Sequence, residues 1–304
     1  MASGCTGIGA LPNEILITIL SSFSTSNLLP IVLTSHRIHD LVLRILHHRL
    51  TEAASLKDHK LILDCFHPSI KLSTPYLFCD YIGTDGLSDD VEGEGIVYDG
   101  IEKTGRLGKL AGLYSHFRPL HPEEDRTPLR PHPVGGWAPG PSNSPIEREA
   151  EFVCQNIHLE SHELFSQLVV ITNLVKVGPK RGLYKSLVRI GEGIIRIFRP
   201  WLSERASAFE LKGCSIQTED KERENRLQWA DTSKHVGVRI KVAERLDINA
   251  PALVRRDEDP PVSYTLQYEE LVIRTTQLLL MVEQSLDQEV RNSGKAIVIG
   301  AWDR

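Results

Sequence analysis

Two pairs of neighbouring histidine and glutamate residues in this sequence are of the types that can bind a metal ion. His158 is followed by Glu160 after one residue, and His162 is followed directly by Glu163. Residues two apart on a strand share a face, so His158 and Glu160 could act together. A structural zinc site takes four ligands, and neither a further histidine pair nor a cysteine pair completes the set. We therefore interpret these residues as surface polar groups at the end of a strand, and we expect no metal.

The other patterns that could carry chemistry also lack a required part. The acidic residues between 85 and 94 do not have the spacing with which an EF-hand loop wraps a calcium ion, so a solvated loop is expected. The glycines at 7–9 and 191–193 are not followed by the Gly-Lys-Ser/Thr of a phosphate-binding loop, and no G-x-S-x-G elbow offers a nucleophile. The sequence predicts no catalytic residue and no cofactor, so we expect a protein that is not an enzyme.

Composition narrows the class of protein further. In 304 residues the hydrophobic fraction is 41% and the charged fraction 25%, which is typical of a folded globular chain. A net charge of -5, with basic and acidic residues interspersed, argues against a nucleic-acid partner, which would require a basic patch. Five widely spaced cysteines indicate reduced thiols. The longest apolar runs are far below the roughly 20 residues needed to cross a bilayer, so we expect no membrane partner and a cytoplasmic or nuclear location.

The most informative pattern lies between residues 11 and 50. Apolar residues recur at the spacing of one helical stripe, at Leu11, Ile15, Leu16, Ile19, Leu20 and Phe23. Two further apolar series predict helices at 27–38 and 39–50 after a first helix at 12–22. Three short helices bury too little surface to be well stabilised alone. Their apolar faces must meet either the rest of the chain, as in an ordinary helical subdomain, or a partner chain.

The order of these residues resembles the F-box family, whose pattern opens with Leu-Pro-x-Glu and two aliphatic residues and continues to a Leu-Leu pair. Thr34, Ser35 and Ile38 depart from the residues that the family often has, and Pro30 interrupts the expected second helix. The resemblance implies binding to a Skp-type adaptor protein, which connects the chain indirectly to a cullin scaffold. The residues implied to bind the adaptor are Leu11, Pro12, Glu14, Ile15, Leu16, Ile19, Leu28, Leu29 and Leu33.

From residue 60 onward the pattern changes to short segments rich in β-branched residues. These predict strands near 60–66, 76–82, 152–159, 168–177, 209–217, 236–244, 262–268 and 296–302. Residues 186–205 and the apolar series from Leu271 to Val290 fit either a strand or a helix. Eight prolines between Arg118 and Ile146 predict an irregular insertion at 118–146.

The expected fold is therefore of the α+β class, with a three-helix F-box-like module at 10–55 and a mostly antiparallel, β-sandwich-like domain at 60–304. Phe209–Cys214 and Trp229–Asp231 make the second part similar to the C-terminal regions of fungal F-box proteins.

Three functions remain open. The chain could recruit an unknown protein substrate to a Skp–cullin–F-box (SCF) ubiquitin ligase. It could instead act outside a ligase, as a module that binds a peptide or a carbohydrate, or it could be a β-sandwich enzyme whose site the sequence does not reveal.

Overall fold

The computed structural model describes residues 8–70, 75–87, 106–121, 152–178, 180, 183–210, 222–245, 260–292, 295 and 297–298. The α-helices are α1 Asn13–Ser21, α2 Thr25–Ile31, α3 His36–Ala54, α4 Arg106–Ala111, α5 Arg199–Glu210 and α6 Thr275–Arg291. The strands are β1 His59–Phe66, β2 Leu77–Thr84, β3 Tyr114–Leu120, β4 Val153–Leu159, β5 Phe165–Val177, β6 Leu183–Phe198, β7 Leu227–Trp229, β8 Val236–Arg245, β9 Val262–Arg274 and β10 Ile297–Val298. Short 3₁₀ turns lie at Ile8–Ala10 and Pro68–Ile70.

All described strand pairs are antiparallel, and they form one sheet in the order β10-β6-β5-β1-β2-β3-β9-β8-β7. Strand β4 also pairs with β9, beside the end of β3. The predicted α+β class, with N-terminal helices followed by a mostly antiparallel β domain, is confirmed.

The sheet folds back on itself, because β6 from one end of the strand order contacts the segment that leads into β8 near the other end. Gly191 and Gly193 of β6 make this approach close enough that side chains would not fit. A Cβ atom on Gly191 would lie 2.8 Å from Val236 Cγ2, and one on Gly193 would lie 1.9 Å from the carbonyl oxygen of Ala230. The folded sheet encloses a core made by side chains from most of the strands, with Leu202 of α5 and Leu278 of α6.

A second core lies among the N-terminal helices and extends beyond them. It contains apolar residues of α1, α2 and α3 together with Leu110 of α4 and Leu279 of α6. Val282, one turn further along α6, packs against both cores. Helix α6 therefore lies between the helical module and the folded sheet, and packing crosses the boundary that we expected between residues 55 and 60.

The helix boundaries differ from the prediction for identifiable reasons. Helix α2 begins at Thr25 and ends at Ile31, and it contains Pro30, whose missing N–H leaves one helical hydrogen bond unmade. Helix α3 begins at His36, where the Ser35 hydroxyl accepts a hydrogen bond from the N–H of Ile38 at 3.2 Å. The predicted helices at 27–38 and 39–50 were therefore wrong in their bounds, and residues 32–35 connect α2 to α3.

Several strand predictions also changed. Phe209 and Glu210 end helix α5, so the predicted strand at 209–217 is wrong in its described part, while 211–217 lie outside the described residues. Residues 118–120 continue β3, so only 121 of the predicted irregular insertion is described outside a strand, and 122–146 lie outside the description. The two segments that fitted either a strand or a helix each contain both. The first changes from β6 to α5 between Phe198 and Arg199, and the second changes from β9 to α6 between Arg274 and Thr275.

Candidate functional site

Helix α1 is apolar on two sides, and only one of them is buried. Leu16 and Leu20 face the helical core, with exposed fractions of 3% and 6%. Ile15 and Ile19, one turn apart, remain 48% and 44% exposed. A helix that only packed on its own protein would place polar residues at these two positions.

The apolar exposure continues through the α1–α2 turn to the end of α2. Phe23, Leu29 and Leu33 are 40%, 46% and 89% exposed. Large exposed apolar side chains therefore recur from α1 to the second residue after α2, and a group of this kind on a folded protein indicates an interaction site. We call the group the α1–α2 surface, and it consists of Pro12, Ile15, Ile19, Phe23, Leu29 and Leu33, all exposed.

An arginine of α3 fixes the beginning of α1. Arg37 donates through Nη2 to the carbonyl oxygen of Leu11 at 2.6 Å and through Nε to Oδ1 of Asn13 at 2.8 Å. Helix α1 has no side-chain N-cap, since Pro12 occupies that position. Arg37 therefore fixes the entry to α1 by donating to oxygen atoms on either side of Pro12, which differs from a cap because arginine cannot accept from the first N–H groups of the helix.

A second arginine of α3 fixes the end of α1 and joins it to α6. Arg49 Nη2 donates to the carbonyl oxygens of Ser21 and Phe23, at 3.0 and 2.7 Å, and Nη1 pairs with Glu283 Oε1 of α6 at 3.1 Å. Glu283 also accepts from Thr25, through the N–H at 3.2 Å and through the hydroxyl at 2.6 Å. This Arg49–Glu283–Thr25 network holds the turn that contains Phe23 against helix α6, which also packs on the β domain.

Helix α6 is in turn held to the sheet by buried polar groups. The hydroxyl of Ser285 lies 3.0 Å from His59 Nε2 of β1 and also contacts the hydroxyl of Ser186 on β6 at 2.5 Å. His59 Nδ1 lies 2.9 Å from the carbonyl oxygen of Lys57. Because a carbonyl can only accept, His59 donates from Nδ1 and, when neutral, accepts from Ser285 at Nε2. Burial lowers the pKa of His59 below its ordinary value of 6.5.

We expect this histidine to make folding sensitive to acid. The unfolded chain takes up a proton at His59 near pH 6.5 while the folded chain does not, since burial lowers its folded pKa. The His59 contribution to the free energy of unfolding is therefore fully present above that pH and is lost as the pH falls through the folded pKa. Urea denaturation of wild type and His59→Gln at pH 7.5, 6.5 and 5.5 measures this contribution. An identical loss of stability in both proteins over this range would contradict it.

The structure divides the residues that the sequence analysis assigned to adaptor binding. Pro12, Glu14, Ile15, Ile19, Leu29 and Leu33 are exposed, and Leu11 is half-buried. Leu16 and Leu28 are 3% and 0% exposed. The side chains of these two residues fill the core beneath the exposed ones, and their part in adaptor binding stays a prediction.

Sequence reasoning missed Phe23, Arg37 and Arg49 as parts of the site. Phe23 continues the Ile15–Ile19 spacing by four more residues, and this signal could have identified it. The contacts of Arg37 and Arg49 bridge 24 to 28 positions within the module, and that of Arg49 with Glu283 bridges 234. No local pattern predicts such pairs.

The histidine–carboxylate pair of β4 is on the surface, as interpreted from the sequence. His158 Nε2 lies 3.4 Å from Glu160 Oε1, and both side chains are more than half exposed. A shallow cavity beside His158, also lined by His67 and Ser166, has a volume of only about 130 Å³. Small-molecule sites occupy roughly 300–1,000 Å³. Among the described residues no group of three histidine, cysteine, aspartate or glutamate side chains is placed to hold a metal ion.

A second cluster of ionisable groups lies on β3, β8 and β9. The ring of His116 contacts Glu270 at Nδ1 and Asp85 at Nε2, both at 3.1 Å, and Arg239 forms an ion pair with Glu270. Burial lowers the pKa of His116. Both ring nitrogens of His116 therefore have a carboxylate partner, and Glu270 is shared between His116 and Arg239.

Within the described residues, no helix combines the length and hydropathy that crossing a bilayer requires.

Comparison with known families assigns the helical module. Residues 8–53 match the family model of the F-box-like domain, which covers the three helices and the whole α1–α2 surface. No curated protein and no solved structure matches the chain.

Proposed function

We propose, from the F-box-like domain that this chain carries at residues 8–53, that it is the substrate-recognition subunit of an SCF-type ubiquitin ligase. Residues 10–55 would bind a Skp-type adaptor, and the adaptor would connect the chain to a cullin scaffold. Residues 60–304 would hold an unidentified protein substrate in the cytoplasm or nucleus.

The observation that carries the proposal is the apolar exposure of the α1–α2 surface inside the segment that matches the family. Ile15, Ile19 and Leu33 are between 44% and 89% exposed, although the chain has buried apolar residues beside them. Full burial of a large aliphatic side chain contributes roughly 1.5–3 kcal/mol, so burying the exposed halves of Ile15 and Ile19 in an interface would recover roughly 1 kcal/mol each. F-box domains typically bind adaptors of the Skp type, and an adaptor would supply that burial.

The proposed contribution to ubiquitin transfer is positional. A receptor that binds both adaptor and substrate raises the local concentration of the substrate's lysine side chains near the ubiquitin-charged enzyme. The Arg49–Glu283–Thr25 network supports this role, because it fixes the adaptor-binding helices against the domain that would carry the substrate.

Adding two negative charges to the α1–α2 surface should abolish adaptor binding. We expect Ile15→Glu with Ile19→Glu to weaken the affinity at least about a hundredfold, because two apolar contacts are lost and two carboxylates are desolvated. The measurement is calorimetric titration of the purified full chain with a Skp1-type adaptor. Circular dichroism checks that the variant is folded.

The matched control is Ser203→Glu with Ser207→Glu, which adds the same charges at the same spacing on exposed positions of α5. This control should bind the adaptor as the wild type does. Absence of wild-type binding at tens of micromolar would refute the proposal, and so would a folded Ile15/Ile19 variant with unchanged affinity. Purification from cells then separates the two binding functions: a cullin that copurifies with the adaptor supports the ligase, and the adaptor without a cullin supports a role outside it.

A further inference from the structure

Among the residues that the structure describes, no strand pairs with most of one edge of β6. On one side β6 pairs with β5 along its length, from Tyr184 to Phe198. On the other side β10 pairs only with Leu183 and Tyr184. Both described residues of β10 therefore lie opposite the first two residues of β6.

The backbone groups that face this free edge can be identified from one hydrogen bond. The N–H of Arg199 donates to the carbonyl oxygen of Leu164, just before β5. Backbone groups of successive residues point to opposite edges of a strand, so those of Phe198, Arg196 and Ile194 point away from β5. Within the described residues no backbone hydrogen bond reaches these groups from another segment.

The side chains at the same positions form an alternation of apolar and basic residues. Ile194 and Phe198 are 56% and 51% exposed. Arg196 between them is exposed and lies over the ring of Phe165, 5.7 Å from the ring centre. In the described part of the chain Arg196 has no carboxylate partner, since the nearby Glu192 is paired with Arg189.

The free edge leads away from helix α6 along β6. Nε2 of Gln277, near the start of α6, donates to the carbonyl oxygen of Ile190 at 3.4 Å. At about 3.3 Å per residue, Ile194 and Phe198 are roughly 13 and 26 Å further along the strand. A ligand on this edge would leave the α1–α2 surface accessible.

We propose that the edge of β6 from residue 192 to residue 198 binds an extended segment of a partner protein as an additional strand. The partner segment carries apolar side chains opposite Phe198 and Ile194 and a carboxylate opposite Arg196. Main-chain hydrogen bonds provide affinity in this mode, and alternate side chains provide specificity. If the proposed function holds, this segment is the part of the substrate that the ligase recognises.

A second copy of the chain fits the same edge poorly. Self-pairing centred on Arg196 places two guanidinium groups opposite each other, which is destabilising. Self-pairing centred between Ile194 and Arg196 places the guanidinium group of each copy opposite the isoleucine of the other, so neither charge gains a partner. Centring on Ile194 requires Ile190 in the ladder, where the register of β5 and β6 shifts. The unpaired charge of Arg196 therefore favours a different chain with an acidic residue.

The test uses the full chain and a heptapeptide with acetylated and amidated ends. Its sequence is Thr-Leu-Thr-Glu-Thr-Val-Thr, so that leucine, glutamate and valine lie on one face of an extended strand. We expect the peptide at millimolar concentration to shift the backbone amide resonances of Ile194, Arg196 and Phe198. Arg196→Glu should weaken this binding about tenfold by replacing attraction with repulsion. The same variant should bind a peptide with lysine in place of the glutamate, which the wild type should reject. Failure of this charge exchange would overturn the assignment of Arg196.

Methylation of the peptide nitrogens distinguishes strand addition from contact through side chains alone. Methyl groups on the residues whose N–H groups face β6 should abolish binding, while methyl groups on the intervening residues should not. The proposal would be overturned if the two methylation patterns had equal effects, or if the peptide shifted no amide resonance of β6. It would also be overturned if the chain were a dimer that the peptide dissociates. The Ile15/Ile19 variant should bind the peptide normally, so failure of this site and failure of adaptor binding are observed separately.

Discussion

Replacing Gly193 by alanine should strongly destabilise the folded chain. The added Cβ would lie 1.9 Å from the carbonyl oxygen of Ala230, a contact with backbone that no side-chain rotation can relieve. Overpacking of a core usually costs about 1–3 kcal/mol and occasionally more, and a backbone clash belongs at or above the upper limit. Against a total stability of about 5–15 kcal/mol, that loss is a large fraction.

Gly83→Ala is the matched control, because a Cβ on Gly83 of β2 meets nothing within 4 Å. We expect Gly193→Ala to lower the free energy of unfolding by about 3 kcal/mol or more, measured by urea denaturation, and Gly83→Ala to change it little. A Gly193→Ala protein as stable as wild type would show that β6 does not approach Ala230 as described.

The second large effect separates stability from binding within α2 and the turn that follows it. Leu28 is fully buried and Leu33 is 89% exposed. Leu28→Ala should lower the free energy of unfolding by about 2–5 kcal/mol, because it leaves a cavity in the helical core. Leu33→Ala should change the free energy of unfolding by less than about 0.5 kcal/mol and should instead weaken adaptor binding.

Both quantities are measured on both variants, by urea denaturation and by calorimetric titration with the adaptor. The expected result is a large change in stability for Leu28→Ala alone. Loss of stability in Leu33→Ala, with adaptor binding intact, would show that Leu33 packs on its own chain and is not part of the binding surface.

The parts of the fold that could be predicted are those with a clear period. The apolar alternation at 236–242 predicted strand β8, and the apolar stripe at 11–23 predicted helix α1. The end of β6 could not be predicted, because Gly191 and Gly193 weaken helix and strand propensity alike. Glycine is needed at these two positions because β6 comes close to Val236 and Ala230, which lie far along the chain.

The site was predictable to a similar extent. The sequence pattern identified the module and most of its exposed residues, since the order Leu-Pro-x-Glu carries the resemblance. It did not separate exposed Ile15 from buried Leu16, because adjacent apolar residues on a helix give no sign of which one faces the core. That distinction depends on where α3 and α6 lie.

Helix α6 lies near the end of the sequence, and this position affects how the helical module forms during synthesis. Residues 275–291, which complete the core of the N-terminal helices, leave the ribosome only after strands β1–β9 have been synthesised. Until then Arg49 has no Glu283 to pair with, and the apolar surface that covers Leu279 is open to solvent. A chain that terminates early therefore carries an unfinished module, whose turn at Phe23 is not held in place. Only a chain that includes α6 would then hold the proposed adaptor-binding surface in its final arrangement.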